Sequence, residues 1–344
     1  MKKLYTLVLL VALTTVALKS NAQDGFDELI RSNAADAKLL FQNYANPLLK
    51  GFGVGMNSGW NNTAATKKLL HFDLRITVNA ALVPEVDKSF DVTKIGLSSS
   101  IRPAQNSPTN IAQTFGGDAD AASPILDIYD KNNNLLSTFT MPEAVYHIIP
   151  APTIQLTAGL IKNTDVTFRI TPDIKIGDDA GTVGMFGIGF KHNIIKDFVK
   201  LSPFDLAVAV NYNRLKYTKT LDVENEDGTS NATGNQRIDA TFSGLNFQAI
   251  LSKKLLFFTP FVAVAYQTAN ANLGVLGNYV VKSEKNGNSY NYKTLTDPIK
   301  IDQNTVSGLR ADLGFQLNLA FFRIYASGSL GQYKSVNGGI GFGF

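Results

Sequence analysis

The chain has 344 residues, of which 44% are hydrophobic and 17% are charged, with a formal net charge of +4 at pH 7. It contains no cysteine, which excludes disulfide bonds, cysteine catalysis and thiolate metal sites. No stripe of lysine and arginine indicates binding to nucleic acid. The charged fraction is below the usual quarter or so of soluble proteins.

Residues 1–22 have the organisation of a secretory signal peptide. Two lysines precede an apolar run from Leu4 to Leu18, and a small-residue site at 20–22 predicts a mature chain starting at Gln23. The run is shorter than the roughly 20 apolar residues that a spanning helix needs. We therefore expect a protein exported through the Sec pathway.

Residues 23–50 are predicted to form an amphipathic helix before the main domain. The helix is expected to end near Asn46-Pro47, because the residue before a proline avoids the helical conformation. Such a helix could fill a barrel lumen as a plug, lie under the rim, or dock a partner in the periplasm, and we favour the plug. Its predicted packing residues are Phe26, Leu29, Ile30, Phe41 and Tyr44.

Residues 51–344 are predicted to form one domain built from long alternating strands. In the segment from Phe72 to Leu82, for example, the even positions are apolar and most odd ones are polar. Transmembrane strands need roughly 9–11 residues of this character, whereas strands of soluble sheets average about 5–6. The predicted fold class is therefore all-β, a transmembrane antiparallel up-and-down β-barrel with a lipid-facing apolar surface and a lumen lined by small and polar residues.

Twelve strands are predicted, with the first at 52–60 and the last at 336–344. The others are 70–83, 91–101, 153–161, 165–176, 182–193, 205–221, 237–252, 257–272, 305–319 and 323–331. The three longest connections, 102–152, 222–236 and 273–304, then fall at one end of the barrel, as the outer loops of outer-membrane barrels do. Two further hairpins, within 125–140 and 279–293, could raise the number to fourteen.

The last nine residues, from Val336 to Phe344, alternate apolar residues with glycine and end on an aromatic residue. This ending is typical of Gram-negative outer-membrane barrels, in which the terminal strand closes the cylinder and is read by the assembly machinery. The predicted partners are therefore the lipid bilayer and that machinery, and the predicted location is the outer membrane.

The order of signal, short helix, Asn46-Pro47, glycine-rich first strand and aromatic-terminated last strand resembles uncharacterised outer-membrane barrel families of Gram-negative bacteria. More distantly, it resembles the FadL-like fatty-acid transporters. The latter resemblance implies a fourteen-strand barrel with an N-terminal hatch that moves hydrophobic molecules. Only Asn46 and Pro47 match the Asn-Pro-Ala-Gly-type signature of that group, so no binding residue is carried over.

Charged residues on the predicted lumen face are the main functional candidates: Asp73, Arg75, Arg169, Asp173, Lys175, Arg310 and Asp312. They could line a solute path or pair with one another to pack the lumen. Because both signs are present, no strong ion selectivity is predicted from them. Aromatic residues near strand ends, including Trp60, Tyr212, Tyr266 and Tyr325, are predicted to form interfacial girdles.

Nothing in the sequence predicts an enzyme, a cofactor or a metal site. The three histidines, His71, His147 and His192, have no companion motif for acid–base or nucleophilic catalysis. Asp130 with Asn132 and Asn134 is oxygen-rich, but it does not complete a calcium-binding pattern.

We predict an outer-membrane channel or transporter for a small solute, of which a hydrophobic molecule is one candidate, with the helix as its hatch. The alternative is a sealed scaffold that presents the long loops 102–152 and 273–304 to partners.

Overall fold

The computed structural model describes residues 34–175, 181–199, 201–221, 227 and 236–343. The signal segment 1–22, the plug positions Phe26, Leu29 and Ile30, and the final Phe344 lie outside these residues. The helices are α1 (Ala34–Asn57) and α2 (Ile195–Phe198), with a 3₁₀ turn at Glu85–Asp87. In chain order the strands are β1 (Phe72–Leu82), β2 (Ser89–Asp91), β3 (Ile101–Pro103), β4 (Ile111–Gln113), β5 (Ile125–Tyr129), β6 (Leu135–Thr140), β7 (Ile148–Gly159), β8 (Thr164–Lys175), β9 (Thr182–Asn193), β10 (Asp205–Thr220), β11 (Arg237–Ser252), β12 (Phe258–Leu276), β13 (Asn278–Asn286), β14 (Ser289–Thr296), β15 (Ile299–Leu319), β16 (Phe322–Leu330) and β17 (Lys334–Gly343).

Ten strands form a closed antiparallel barrel, in which each strand pairs with the next wall strand along the chain and the last closes on the first. The wall consists of β1, β7 to β12 and β15 to β17. Closure is made by β17, whose Ile340 and Phe342 pair with Ile76 and Leu74 of β1. The predicted antiparallel up-and-down barrel is therefore confirmed, but with ten strands rather than twelve.

Two of the predicted strands are wrong. Residues 52–57 continue α1, and 91–101 belong to the connection after β1. As a consequence, β1 runs opposite to its predicted direction, and 84–90 is part of a long loop rather than a short turn. The hairpins β5–β6 and β13–β14 do form, but they lie in separate small sheets and add no strand to the wall.

The two ends of the barrel differ in their connections. The short-turn end carries 160–163, 194–204, 253–257 and 320–321, together with the start of β1 and the end of β17. The long-loop end carries 83–147, 221–236 and 277–298, as well as the brief connections 176–181 and 331–333. The sorting of the long loops to one end is thus retained after the strand corrections.

An apolar belt surrounds the outside of the barrel. On β12 the outward residues Val262, Val264 and Tyr266 are exposed and apolar, and on the same face Asn270 and Asn272 follow toward the long-loop end. The 11 residues of β1, at about 3.3 Å per residue and a tilt of about 45°, give a belt roughly 25 Å tall, the height of a transmembrane barrel's lipid-facing band. The belt follows from strict alternation, because polar inward residues leave the apolar ones outside.

Four neighbouring strands, β10, β11, β12 and β15, have 16 to 21 residues and extend beyond the belt at the long-loop end. Opposite this taller wall, the connection 83–147 folds into two small sheets, β2–β4 and β3–β5–β6. We call these two small sheets and their turns the cap. Among the described residues, no helix is long and apolar enough to cross a membrane.

Candidate functional site

The interior of the barrel is filled by the chain's own N-terminal segment. α1 enters from the long-loop end, and residues 58–71 continue down the lumen to the start of β1 at the short-turn end. We call residues 34–71 the plug. The predicted helix had its end near Pro47, but α1 continues through this proline to Asn57. The enclosing wall stabilises the helix here, since proline in open solvent would favour its termination.

The lumen is one helix wide at the level of Gly51, Gly53 and Gly55 of α1. A Cβ at Gly51 would lie 2.5 Å from Ile149 Cγ1 of β7, and a Cβ at Gly53 would lie 2.8 Å from Ala269 Cβ of β12. Positions two apart in a helix are about 200° apart around its axis, so these glycines touch opposite walls. In the sequence, glycines two residues apart resembled a strand pattern. In the structure they lie in a helix, and the missing side chains let the helix backbone pack closely against the wall on both sides.

The C-terminal end of α1 is held by Arg169, a wall residue of β8 that is fully buried. Its Nη1 donates to Met56 O at 2.8 Å and its Nη2 to Ser58 O at 2.9 Å. The third donor, Nε, binds Gln155 Oε1 at 3.0 Å, and the guanidinium lies 3.9 Å from the ring centroid of Trp60. No ion pair among the described residues includes Arg169, so main-chain carbonyls are its principal acceptors.

A second arginine binds the helix end from another wall strand. Arg310 Nη1 of β15 donates to Asn57 O at 3.0 Å, while its Nε contacts Asp312 Oδ1 at 2.7 Å. The Asn57 carbonyl also accepts from Asn246 Nδ2 at 3.1 Å. Arg169 and Arg310 therefore bind three consecutive residues, 56 to 58, and we call this pair the latch.

Below the latch, polar contacts continue to hold the plug. Lys191 Nζ donates to the carbonyls of Thr63 and Ala65, at 3.1 and 2.8 Å, and forms an ion pair with Asp165 Oδ2 at 3.1 Å. The other oxygen of Asp165 accepts from the Lys67 backbone N–H at 2.8 Å. Main-chain groups of the plug are thus satisfied by wall side chains, as buried backbone requires.

Asp73, at the start of β1, is surrounded by three cations. Lys67 Nζ lies 3.8 Å from Oδ2, Arg75 Nε lies 3.6 Å from Oδ1, and Arg323 Nη1 contacts Oδ2 directly. The single hydroxyl hydrogen of Tyr325 is shared between the two oxygens, which lie 3.2 and 3.1 Å from the hydroxyl oxygen. One carboxylate therefore balances three positive charges, and the Asp73 cluster keeps an excess of positive charge.

The predicted lumen residues fall into two groups. Asp73, Arg75, Arg169, Arg310 and Asp312 are buried and face the interior. Asp173 and Lys175 are exposed near the long-loop end of β8, where the β8–β9 pairing shifts between Thr171 and Ile174.

Several interior residues were not among the sequence predictions. Lys191 and Asp165 could have been found by extending the alternation of β8 and β9, whereas Lys67 lies in the plug and carries no periodic signal. Trp60 and Tyr325 are buried inside the barrel, each 1% exposed, so their assignment to the outer girdle is wrong. Tyr212 and Tyr266 do face outward.

The upper half of the plug is held by apolar packing. Phe41 and Ala45 join a buried cluster with residues of β11, β12, β13 and β15, and Leu40 packs into the cap. Tyr44 donates to Glu143 O at 2.9 Å and meets the Phe115 ring edge-on at 6.3 Å. The structure therefore places Phe41, predicted for the plug, in contact with the taller wall, and Tyr44, also predicted for the plug, in contact with the connection 83–147.

His192 has companions that the sequence did not reveal. On the outer rim of the short-turn end, its Nδ1 lies 3.0 Å from Thr164 Oγ1 and its Nε2 2.7 Å from Asp197 Oδ2. The Thr164 hydroxyl donates to Lys162 O at 3.1 Å. The same hydroxyl can also donate to His192 Nδ1, and which group donates in that contact depends on the tautomer of His192. Hydrogen bonds from His192 and Asn163 lower the pKa of Asp197.

Asp130, in the turn between β5 and β6, binds N–H groups instead of a cation. Oδ1 accepts from the backbone of Asn132 and Asn134 at 2.9 and 2.8 Å, and Oδ2 accepts from Asn134 Nδ2 and the Lys285 backbone at 3.0 and 3.2 Å. These donors occupy the lone pairs that a metal would need. The bond from Lys285 also ties this turn to β13, so the cap and the β13–β14 hairpin are joined.

A model of a protein family, described as "Family of unknown function (DUF6588)", matches residues 1–344. The search of curated proteins gives no match. Among solved structures, the outer-membrane protease OmpT from Escherichia coli is similar at 8% identity and a TM-score of 0.32, covering 84% of this chain and 100% of that chain. The translocator domain of the autotransporter NalP from Neisseria meningitidis is similar at 9% identity and a TM-score of 0.30, covering 81% of this chain and 89% of that chain. The outer-membrane transporter YddB from Escherichia coli is similar at 9% identity and a TM-score of 0.32, covering 80% of this chain and 41% of that chain.

Proposed function

The chain belongs to the family of unknown function DUF6588, and we propose that it is an outer-membrane channel whose plug closes the lumen until it is displaced. The apolar belt supports the membrane location, since it has the height of a bilayer's hydrocarbon region and surrounds a closed wall. In this orientation the short-turn end faces the periplasm.

The observation that carries the channel function is the polar interior together with the plug that it holds. A barrel of about eight strands fills its interior with its own side chains, whereas about 16 strands leave an open aqueous channel. Ten strands leave room for one helix, about 10 Å across. A barrel that served only as an anchor would need neither this space nor a separate segment to fill it.

The wall behind the plug also suits a hydrated path. Among the described residues, Asn211 Nδ2, Asn213 Oδ1, Asn246 Oδ1 and Asn337 Oδ1 are buried and have no protein partner. A buried polar atom left unpaired costs about 1–3 kcal/mol, so water is their natural partner. Once the plug has moved, the same groups line the opening.

A disulfide lock tests this function in a chain that has no cysteine of its own. Ser58 Oγ of the plug lies 3.4 Å from Ser335 Oγ of β17, so S58C with S335C should fasten the plug to the wall. In planar bilayers the reduced protein should open and the oxidised protein should stay closed.

The matched control is T77C with T153C, which joins two wall strands where the hydroxyls are 2.8 Å apart. It should conduct in both redox states. Absence of current from the reduced protein and from the wild type alike would refute the channel.

The second candidate is the sealed scaffold, and the apolar packing of Leu40 and Phe41 favours it. These contacts merge the upper plug with the cap and the taller wall into a rigid outer surface. In that case the protein conducts in neither redox state, and deleting β13–β14 abolishes its cellular role without changing permeability.

A further inference from the structure

We propose that the latch, Arg169 and Arg310, is an oxyanion-binding site that the end of α1 occupies in the closed state. The solute class would then be anions that carry a carboxylate or phosphate group. This inference rests on the proposed channel, which it makes more specific.

The groups that the latch holds have the character of an anion. The last carbonyls of a helix point away from it without intrahelical partners and together carry roughly half a negative charge. Arg169 places Nη1 on Met56 O and Nη2 on Ser58 O, at 2.8 and 2.9 Å. A guanidinium binds a carboxylate or a phosphate in the same way, with two parallel N–H groups donating to two oxygens.

The charge of the interior supports the same ligand class. The cations that face the lumen are Lys67, Arg75, Arg169, Lys191, Arg310 and Arg323, and the carboxylates that balance them are Asp73, Asp165 and Asp312. Among these described residues the cations outnumber the carboxylates by six to three. Pores lined by arginine and lysine select anions. The sequence alone predicted no strong ion selectivity, because both signs are present among its candidates; it missed the cations Lys67, Lys191 and Arg323 and the carboxylate Asp165.

Both arginines of the latch lose the plug carbonyls that they bind when the plug moves. Arg169 keeps only the side chain of Gln155, at 3.0 Å. Arg310 keeps Gln267 Oε1, at 2.6 Å, and both oxygens of Asp312, at 2.7 and 3.2 Å. Arg169, which has no carboxylate partner among the described residues, is then left in a partly dry interior without a counter-charge, and this is costly. An anion from solution can supply that charge, so the anion competes with the helix end and favours the open state.

A buried reporter tests the competition without requiring any conduction. Ala64 in the plug is fully buried, and A64C introduces a single cysteine that a maleimide reaches only after the plug has moved. Labelling is measured in inorganic phosphate and in chloride at equal ionic strength. A maltoside detergent is used because it contains no phosphate, so that an effect reports the free anion and not a lipid headgroup.

We expect phosphate to accelerate labelling several-fold over chloride. In the A64C background, R169Q with R310Q should remove this dependence. R237Q should retain it, because Arg237 is exposed on the outer wall and pairs with Asp239 at 2.8 Å. Equal rates in phosphate and chloride for the parent A64C protein would overturn the inference, even if the protein conducts.

A second measurement needs no substitution and so does not depend on the folding of a variant. The reversal potential of the wild-type protein across a potassium chloride gradient should show preference for the anion, and a preference for the cation would overturn the inference. Phosphate-dependent labelling without any current would instead retain the anion site and refute the channel.

Discussion

Arg169→Met is the most informative single substitution, because it removes one side of the latch and leaves the backbone pairing of the wall intact. Ser58 O and Gln155 Oε1 lose the bonds that Arg169 made at 2.9 and 3.0 Å. Met56 O still accepts from Trp60 Nε1 at 3.2 Å, so two acceptors rather than three are orphaned.

The expected cost follows from these two acceptors. Each unsatisfied buried group costs about 1–3 kcal/mol, and the lost cation–π contact with Trp60 adds about 1 kcal/mol. Relief of the buried guanidinium's desolvation offsets part of this. We therefore expect the closed plug to be destabilised by about 2–4 kcal/mol, which corresponds to about a 30-fold to 1000-fold larger open population.

Maleimide labelling of A64C in the Arg169→Met background measures this population directly, since labelling follows opening when reclosure is fast. The wall should retain its heat-modifiable migration on a gel. Arg237→Met in the same background is the control, and its labelling rate should equal that of the parent. An unchanged rate for a folded Arg169→Met protein would contradict the role assigned to the latch.

Three further predictions concern the wall, the plug and the cap. Val264→Arg, in the apolar belt, should lower the unfolding free energy in lipid vesicles by about 2–4 kcal/mol. Asn270→Arg, on the same outer face of β12 but closer to the long-loop end, should lower it by only about 0–1 kcal/mol. Equal costs for the two substitutions would argue against lipid contact. Gly53→Ala should overpack the lumen and destabilise the protein by about 1–3 kcal/mol in denaturant titrations, whereas Gly338→Ala, whose Cβ would meet nothing within 4 Å, should be close to neutral. The hydrogen bond from Asn134 lowers the pKa of Asp130. The hydrogen bond between Asp130 and the Lys285 backbone N–H of β13 should therefore persist at pH values below the ordinary carboxyl pKa, and it should be lost as the pH falls through the lowered pKa. Hydrogen exchange of the bound β13 amide, corrected for its intrinsic pH dependence, should show that loss, and Asp130→Asn should already lack protection at neutral pH.

The wall was predictable because it depends on a local rule. Successive residues of a strand face opposite sides, so a segment such as β1 shows its lipid face and its lumen face in the sequence. The same rule placed Asp73, Arg75 and Arg310 inside and Phe72 and Leu74 outside.

The segment from Gly51 to Trp60 was mispredicted because its conformation depends on its surroundings. Glycine at every second position is compatible with a strand, and only the confinement of the lumen makes it a helix that touches two walls. Trp60 has the composition of a girdle residue, yet it stacks on Arg169. Whether an aromatic ring meets lipid or lumen depends on the element that carries it.

By itself the sequence determined a pleated wall with apolar residues outside, long connections gathered at one end, and a helical segment before the wall. These are properties of residues near one another in the chain. Tertiary structure alone decided that ten strands close the cylinder, that the helix threads it, and that Arg169 and Arg310 meet at residues 56 to 58. Those contacts join residues more than 100 positions apart, and such pairing depends on the register at closure, which no local pattern encodes.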